Sequence, residues 1–343
     1  MGRARQRFTL STRRKLVSMA LAVVIFAALA GLATVALGRP PEYAVSNAVL
    51  TGIGVGFFEE FYVQSLRGRW LRHMHPLRSG LIYTAVVVVI YFIALHVTHI
   101  FLGHWNELPV VYRRLPEAIP MFVVFSVIGV VVMRVVHFIG AENLFHLTLG
   151  TYHRPIVKAM VLLFVDMNGS TAIAERLGAV RMSLLVGKFL FDIAKPISDA
   201  GGEIYLYKGD GLIAVWDWTD AVRGATVLRA IDEMVAAVRR ERGRYLAEFG
   251  VAPTFRVGVH GGDVVVSVQG DTKRSIGIYG ETINIASRME DAAKAHGVFC
   301  VVSGDVARAL GAADARLTPL GNETIRGLSD PIPICEYRPA SSG

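Results

Sequence analysis

Cysteine is close to absent: Cys300 and Cys335 are the only two in 343 residues, too few for a disulfide framework or a thiolate zinc site. Both fall in the half of the chain that reads as soluble protein, where a reducing cytosol keeps them as thiols. Internal repeats and low-complexity tracts are missing too, which excludes a solenoid. Charge is scarce within the apolar runs at 16–37, 81–102 and 118–138 that recur in the first 140 residues. The first run contains no charge and the third only Arg134, near its end. Each is long enough to cross a hydrocarbon core of ~30 Å. Basic residues precede the first run as in a signal peptide, but it is long for one, and no small-residue cleavage site stands before Arg39-Pro40-Pro41.

A fourth stretch, 44–66, is apolar but broken by glycine and serine and carries Glu59-Glu60, so a tilted span, a re-entrant hairpin and an interfacial helix are all open to it. The basic residues help to decide. Arg3, Arg5, Arg7, Arg13, Arg14 and Lys15 precede the first run, and Arg67, Arg69, Arg72 and Arg78 follow the second; the positive-inside bias puts both groups in the cytoplasm. The other connections mix Arg39 with Glu42, and Arg113 and Arg114 with Glu107 and Glu117. Four crossings satisfy this alternation. The expectation is a four-span helical bundle over 1–139, a linker over 140–158 and a soluble domain over 159–343, in the inner (plasma) membrane with both termini cytoplasmic. The formal charge of +8 is thus spent on membrane orientation, and no nucleic-acid partner is expected.

Ionisable residues inside such a bundle are functional suspects, because inserting them costs a few kcal/mol. They are Glu59, Glu60, His96, His99 and His137. His96 and His99 share a helix face. A haem or metal site is one reading; the blander one, that these rings satisfy buried polar contacts, outweighs it.

In the second half the pattern changes. Residues 159–165 form a continuous apolar run that ends in Asp166, as expected of a buried strand delivering a carboxylate to its tip. Asn168-Gly169-Ser170-Thr171 follows, a turn with free backbone amides opening a helix. Gly201-Gly202 introduces 203–207, then Lys208-Gly209-Asp210-Gly211, then 212–216: a strand, a tight turn that presents Asp210, and a second strand. Two carboxylates on strand tips beside a turn rich in N–H groups suit hard divalent cations bridging a polyphosphate. Further on, 222–247 predicts one long helix, and 254–261 and 263–268 predict two strands joined by a Gly-Gly turn.

The wording around these sites resembles the class III adenylyl/guanylyl cyclases from about Gly150 to Tyr337. The segments that carry the resemblance are Leu163-Phe164-Val165-Asp166-Met167-Asn168-Gly169-Ser170-Thr171, Gly201-Gly202-Glu203-Ile204-Tyr205, Gly209-Asp210, Tyr279-Gly280-Glu281-Thr282-Ile283-Asn284 and Ala286-Ser287-Arg288. The resemblance implies an α+β domain: an antiparallel sheet with a ferredoxin-like βαββαβ core and helices on one face. It implies that Asp166 and Asp210 bind two Mg²⁺ or Mn²⁺ ions per site with the Met167 carbonyl as a third donor. The amides of Asn168, Gly169, Ser170 and Thr171 would hold phosphates, Asn284 would orient the ribose, Arg288 would stabilise the transition state and Arg326 would bind the triphosphate. The implied substrate is ATP, and the implied assembly is a homodimer with shared active sites.

The family's base-reading positions depart from its pattern. Leu206 stands where many adenylyl members have a lysine, with Lys208 two residues on, and Gly277 replaces an acidic or hydroxyl residue, with Ser275 nearby. A guanylate cyclase therefore remains an alternative. A catalytically silent cyclase-fold receptor is another, against which the intact Asp166, Asp210, Asn284 and Arg288 argue.

Overall fold

The computed structural model describes residues 154–271, 275–311, 316–325 and 330–340 of the second half. In the first half it describes 41–63 and 74–103, with scattered positions from 20 to 38, 68 to 71 and 106 to 127. The described residues divide into two compact units, one within Arg13–Phe145 and the other from His146 onward.

In the N-terminal unit, helix α1 (Glu42–Phe57) runs on as a π-helical stretch, Phe58–Val63, and α2 spans Pro76–Phe101. Within α2, Arg78–Phe101 is long and apolar enough to cross a membrane, the one such helix among the described residues. Leu81, Ile93, Ile100 and Phe101 point outward from it, uncovered by the unit itself. Of the expected spans, 44–66 is helical as far as Val63, 81–102 lies within α2 up to Phe101, 16–37 is described only in part, and 118–138 lies outside the described residues save for Val127. The Tyr83 hydroxyl donates to the Glu59 carboxylate. His96 and His99 place Nδ1 at 2.7 and 2.8 Å from the carbonyls of Phe92 and Leu95, one turn back, so each ring donates there. The Nε2 of His96 then accepts from Tyr112. These are the contacts of satisfied polar side chains; His137 is outside the described residues.

The C-terminal unit is built on β1 (Ile156–Met167), whose Val161, Leu162, Leu163 and Val165 are buried. Helices α3 (Ser170–Leu177) and α4 (Ala179–Asp199) follow. The stripe Leu185, Phe189, Ile193 and Ile197 of α4 is fully buried at the spacing of one helix face. The hairpin of β2 (Glu203–Lys208) and β3 (Gly211–Asp217) returns along β1, and α5 (Trp218–Val222), α6 (Thr226–Arg240) and α7 (Arg242–Phe249) lead to β4 (Phe255–Gln269). Then come β5 (Ser275–Tyr279), α8 (Glu281–Ala295), β6 (Cys300–Ser303), α9 (Gly304–Leu310), β7 (Leu317–Glu323) and β8 (Ile332–Tyr337). The strands order as β2-β3-β1-β4-β6-β8-β7, with β5 also paired to β4. Through β4 this is the ferredoxin-like βαββαβ arrangement, with β1 antiparallel to both neighbours.

Four expectations need correction. The sheet is mixed, because β4 and β6 run parallel. Helices cover both faces: α4 and α6 pack on Val161, Leu163 and Val165, whereas α8 packs on the alternate residues Met160 and Leu162 and on Val301. The single helix expected at 222–247 is three, since left-handed dihedrals at Gly224 and Ala225 stop the ladder and α6 ends at Glu241, whose carboxylate turns to Lys188 and Arg244. Nor do Gly261 and Gly262 form a turn. They lie inside the continuous β4, paired with Val161 and Met160, because a Cβ on either would come within 2.7 Å of the Trp218 ring or 3.0 Å of the Thr282 hydroxyl.

Candidate active site

Asp166 is the last but one residue of β1, and the antiparallel register sets Arg256 of β4 directly opposite. Cross-strand partners share a face, and Arg256 Nη2 stands 3.9 Å from Asp166 Oδ2 while its Nε donates to Glu290 of α8 at 3.3 Å. Asp210 sits in the β2–β3 turn after Gly209. That turn is pressed onto β1: a Cβ on Gly211 would lie 2.1 Å from the Val165 carbonyl oxygen and 3.3 Å from the Asp166 Cα. The two carboxylates predicted from sequence therefore meet, although residues 167–209 separate them along the chain.

Electrostatically the pair is uneasy. Burial and then the like charge of Asp210 raise the proton affinity of Asp166, against the opposing pull of Arg256, Lys294 and Lys208. Burial and Asp166 do the same to Glu290, against Arg256. Among the described residues Asp210 Oδ2 is buried without a hydrogen-bond partner, and so is Asn168 Oδ1; orphaned buried acceptors of this kind cost on the order of 1–3 kcal/mol or more. A hard cation between the aspartates would relieve both the repulsion and the orphaned Asp210 oxygen, so the residues present fit a divalent metal. Met167 buries its side chain in the core, which leaves only its backbone carbonyl for a cation.

The turn expected to hold phosphates, 168–171, differs in one respect from expectation. The Asn168 N–H donates to the Thr254 carbonyl at 2.8 Å, and its side-chain amide to the Thr254 hydroxyl at 3.1 Å. It is therefore committed to β4's approach. Gly169 is left-handed and precedes α3, so the N–H groups of Ser170 and Thr171 lie in the first helical turn, where no intrahelical acceptor exists.

Asn284 and Arg288 lie one turn apart on the exposed face of α8, where Arg288 pairs with Asp291 at 3.0 Å. Glu290 and Lys294 are displaced from them by about 80–160° around the same helix; Lys294 acts on Asp166, and Asp166 on Glu290. One chain thus does not bring Arg288 to the two aspartates. Arg326 lies outside the described residues. Leu206 is about half exposed, Ser275 is exposed and Gly277 is buried. Arg256, Glu290 and Lys294 were not singled out from the sequence; only the β1–β4 register and the packing of α8 reveal them.

Residues 153–334 match the model of the adenylate and guanylate cyclase catalytic domain. The chain belongs to that family. It is 29% identical over 204 residues to adenylate cyclase 2 of Rhizobium meliloti (strain 1021), across 59% of this chain and 56% of that one. It is 28% identical over 189 residues to an adenylate cyclase of Anabaena cylindrica, across 53% and 37%. The match thus spans about half, or less, of those relatives' length. A bacterial light-regulated adenylyl cyclase shares the fold, with a TM-score of 0.56 at 16% identity over 64% of each chain.

Proposed function

We propose that this cyclase-family chain is a membrane-anchored adenylate cyclase that converts ATP into 3′,5′-cyclic AMP and pyrophosphate as a homodimer with two shared sites. The observation that carries the reading is the meeting of Asp166 and Asp210 on touching strand tips, one of them with a buried oxygen that has no partner among the described residues. The aspartates and the Met167 carbonyl would hold two Mg²⁺ or Mn²⁺ ions, which supply a lowered pKa for the ribose 3′-hydroxyl and positive charge for the triphosphate. As the 3′-hydroxyl gives up its proton to solvent, its oxygen attacks the α-phosphorus, the bond to the β-phosphate oxygen breaks, and pyrophosphate leaves. The first-turn amides of α3 donate to phosphate oxygens. Asn284 orients the ribose, and Arg288 meets the charge that grows on the phosphate.

The outward placement of Asn284 and Arg288, away from the aspartates of the same chain, favours a partner subunit as the source of the ribose and transition-state contacts. The outward apolar side chains around α2, with arginines flanking the apolar runs, favour membrane anchoring with the catalytic unit in the cytoplasm. The test is an assay of the purified full chain with ATP and with GTP, in Mg²⁺ and in Mn²⁺. Cyclic AMP is the expected product. Asp166→Ala and Asp210→Ala should each reduce turnover by more than the ~10–100-fold that loss of an outer-shell partner costs, with folding and insertion intact. Full activity in either variant, or a C-terminal reporter that scores outside the cell, would sink the reading.

A further inference from the structure

Three carboxylates and three cations converge at the end of β1, and they are not equally matched. Arg256 is shared between Glu290 and Asp166. Lys294 lies one helical turn beyond Glu290 on the same side of α8, and Lys208 opens the tight turn that carries Asp210, paired across it with Gly211. Both lysines are exposed. Every other lysine described in the unit has a carboxylate partner: Lys158 with Asp217, Lys188 with Asp192 and Glu241, Lys195 with Asp199. Lys208 and Lys294 have none within 4.0 Å among the described residues. Their compensating charge is the diffuse field of Asp166, whose proton affinity they lower from a distance. A cation seated on Asp166 and Asp210 would cancel that field and leave two ammonium groups facing the site without an anion.

We propose that Lys208 and Lys294 form a polyphosphate clamp that takes the β- and γ-phosphate oxygens of the nucleotide and retains the pyrophosphate after cyclisation. This rests on the cyclase reading of the site. An ammonium group is a compact point charge without a fixed fork, suited to terminal phosphates that rotate and change charge as the α–β bond breaks. Both lysines belong to the same subunit as the aspartates, so the clamp is complete in one chain, unlike the contacts of Arg288.

The test compares Lys208→Ala, Lys294→Ala and Lys294→Arg, with Lys195→Ala as a control outside the machinery. Two quantities are read on the full chain: steady-state kinetics with ATP and GTP, and calorimetric binding of inorganic pyrophosphate in Mn²⁺. Each alanine variant should weaken pyrophosphate binding and raise its inhibition constant about tenfold, the size of one charge-assisted hydrogen bond. KM should rise equally for ATP and GTP, Lys294→Arg should recover most of the loss, and Lys195→Ala should match the wild type. Unchanged pyrophosphate binding in both alanine variants overturns the clamp, as does a shift in ATP-to-GTP preference with pyrophosphate unaffected, which would make the lysines base readers. A wild-type chain that binds no pyrophosphate overturns it as well. If the wild type binds pyrophosphate but makes no cyclic nucleotide, the cyclase reading fails, and the calorimetry alone decides the clamp.

Discussion

His260 sits where burial disfavours a second proton on its ring. It lies on β4 beneath α8, buried, with Nδ1 2.8 Å from the Ser303 hydroxyl, and burial pulls its pKa down to about 4 although Asp305 pulls the other way. The unfolded chain, with a histidine pKa near ~6.5, takes up the proton first, so folding stability from this group is complete above about pH 6.5 and is lost as pH falls towards 4. A shift of that size corresponds to about 3 kcal/mol at most. Thermal unfolding of the purified protein at pH 7, 6, 5 and 4 should show this acid slope, and His260→Asn, which keeps a hydrogen-bonding group but cannot charge, should flatten it. An identical slope in both proteins would place the acid sensitivity elsewhere. The aspartates carry the opposite bargain: Asp166 and Asp210 repel each other in a site that Arg256, Lys294 and Lys208 relieve only in part, the kind of local cost that folds retain at functional sites.

At the scale of elements, the close seat of the β2–β3 hairpin on β1 does the positioning. Gly211 allows it, since any side chain there would meet the Val165 carbonyl. Gly211→Ala should therefore lift the turn, costing on the order of 1–3 kcal/mol of stability as overpacking does, and should reduce turnover at least tenfold with both carboxylates still present. Unchanged turnover would mean that Asp210 tolerates displacement. The strand ending in Asp166 and the hairpin presenting Asp210 were legible in the sequence because each is written in contiguous residues. Arg256, Glu290 and Lys294 were not, because their convergence depends on a register between β1 and β4 and on how α8 lies across them. The Gly261-Gly262 pair misled for a related reason: glycine marks both turns and places where another chain segment comes close, and only Trp218 and Thr282, distant in sequence, distinguish the two. The amphipathic pattern of 222–247 likewise continues through breaks that backbone dihedrals impose.

At the scale of the whole molecule, the two halves of the proposed chemistry sit on different sides of one subunit. Asp166, Asp210 and the cations around them gather at the end of β1, while Asn284 and Arg288 face outward from α8, where Arg288 is held by Asp291. A twofold interface uses the same surface twice, so a dimer that turns the α8 of one subunit towards the aspartates of the other creates two equivalent sites. Asp166→Ala and Arg288→Ala should each be inactive alone. In a mixed dimer, one site combines both lesions and the other combines the intact aspartates of one subunit with the intact arginine of its partner. Random pairing at equal expression makes about half of all dimers mixed, each with one working site, so co-expression should restore about a quarter of wild-type turnover. Differently tagged subunits, purified in sequence, isolate the mixed species and should raise that figure to about half. If such mixed dimers are recovered and remain inactive, each subunit must complete its own site, and Arg288 must then leave Asp291 and cross α8 to reach the substrate.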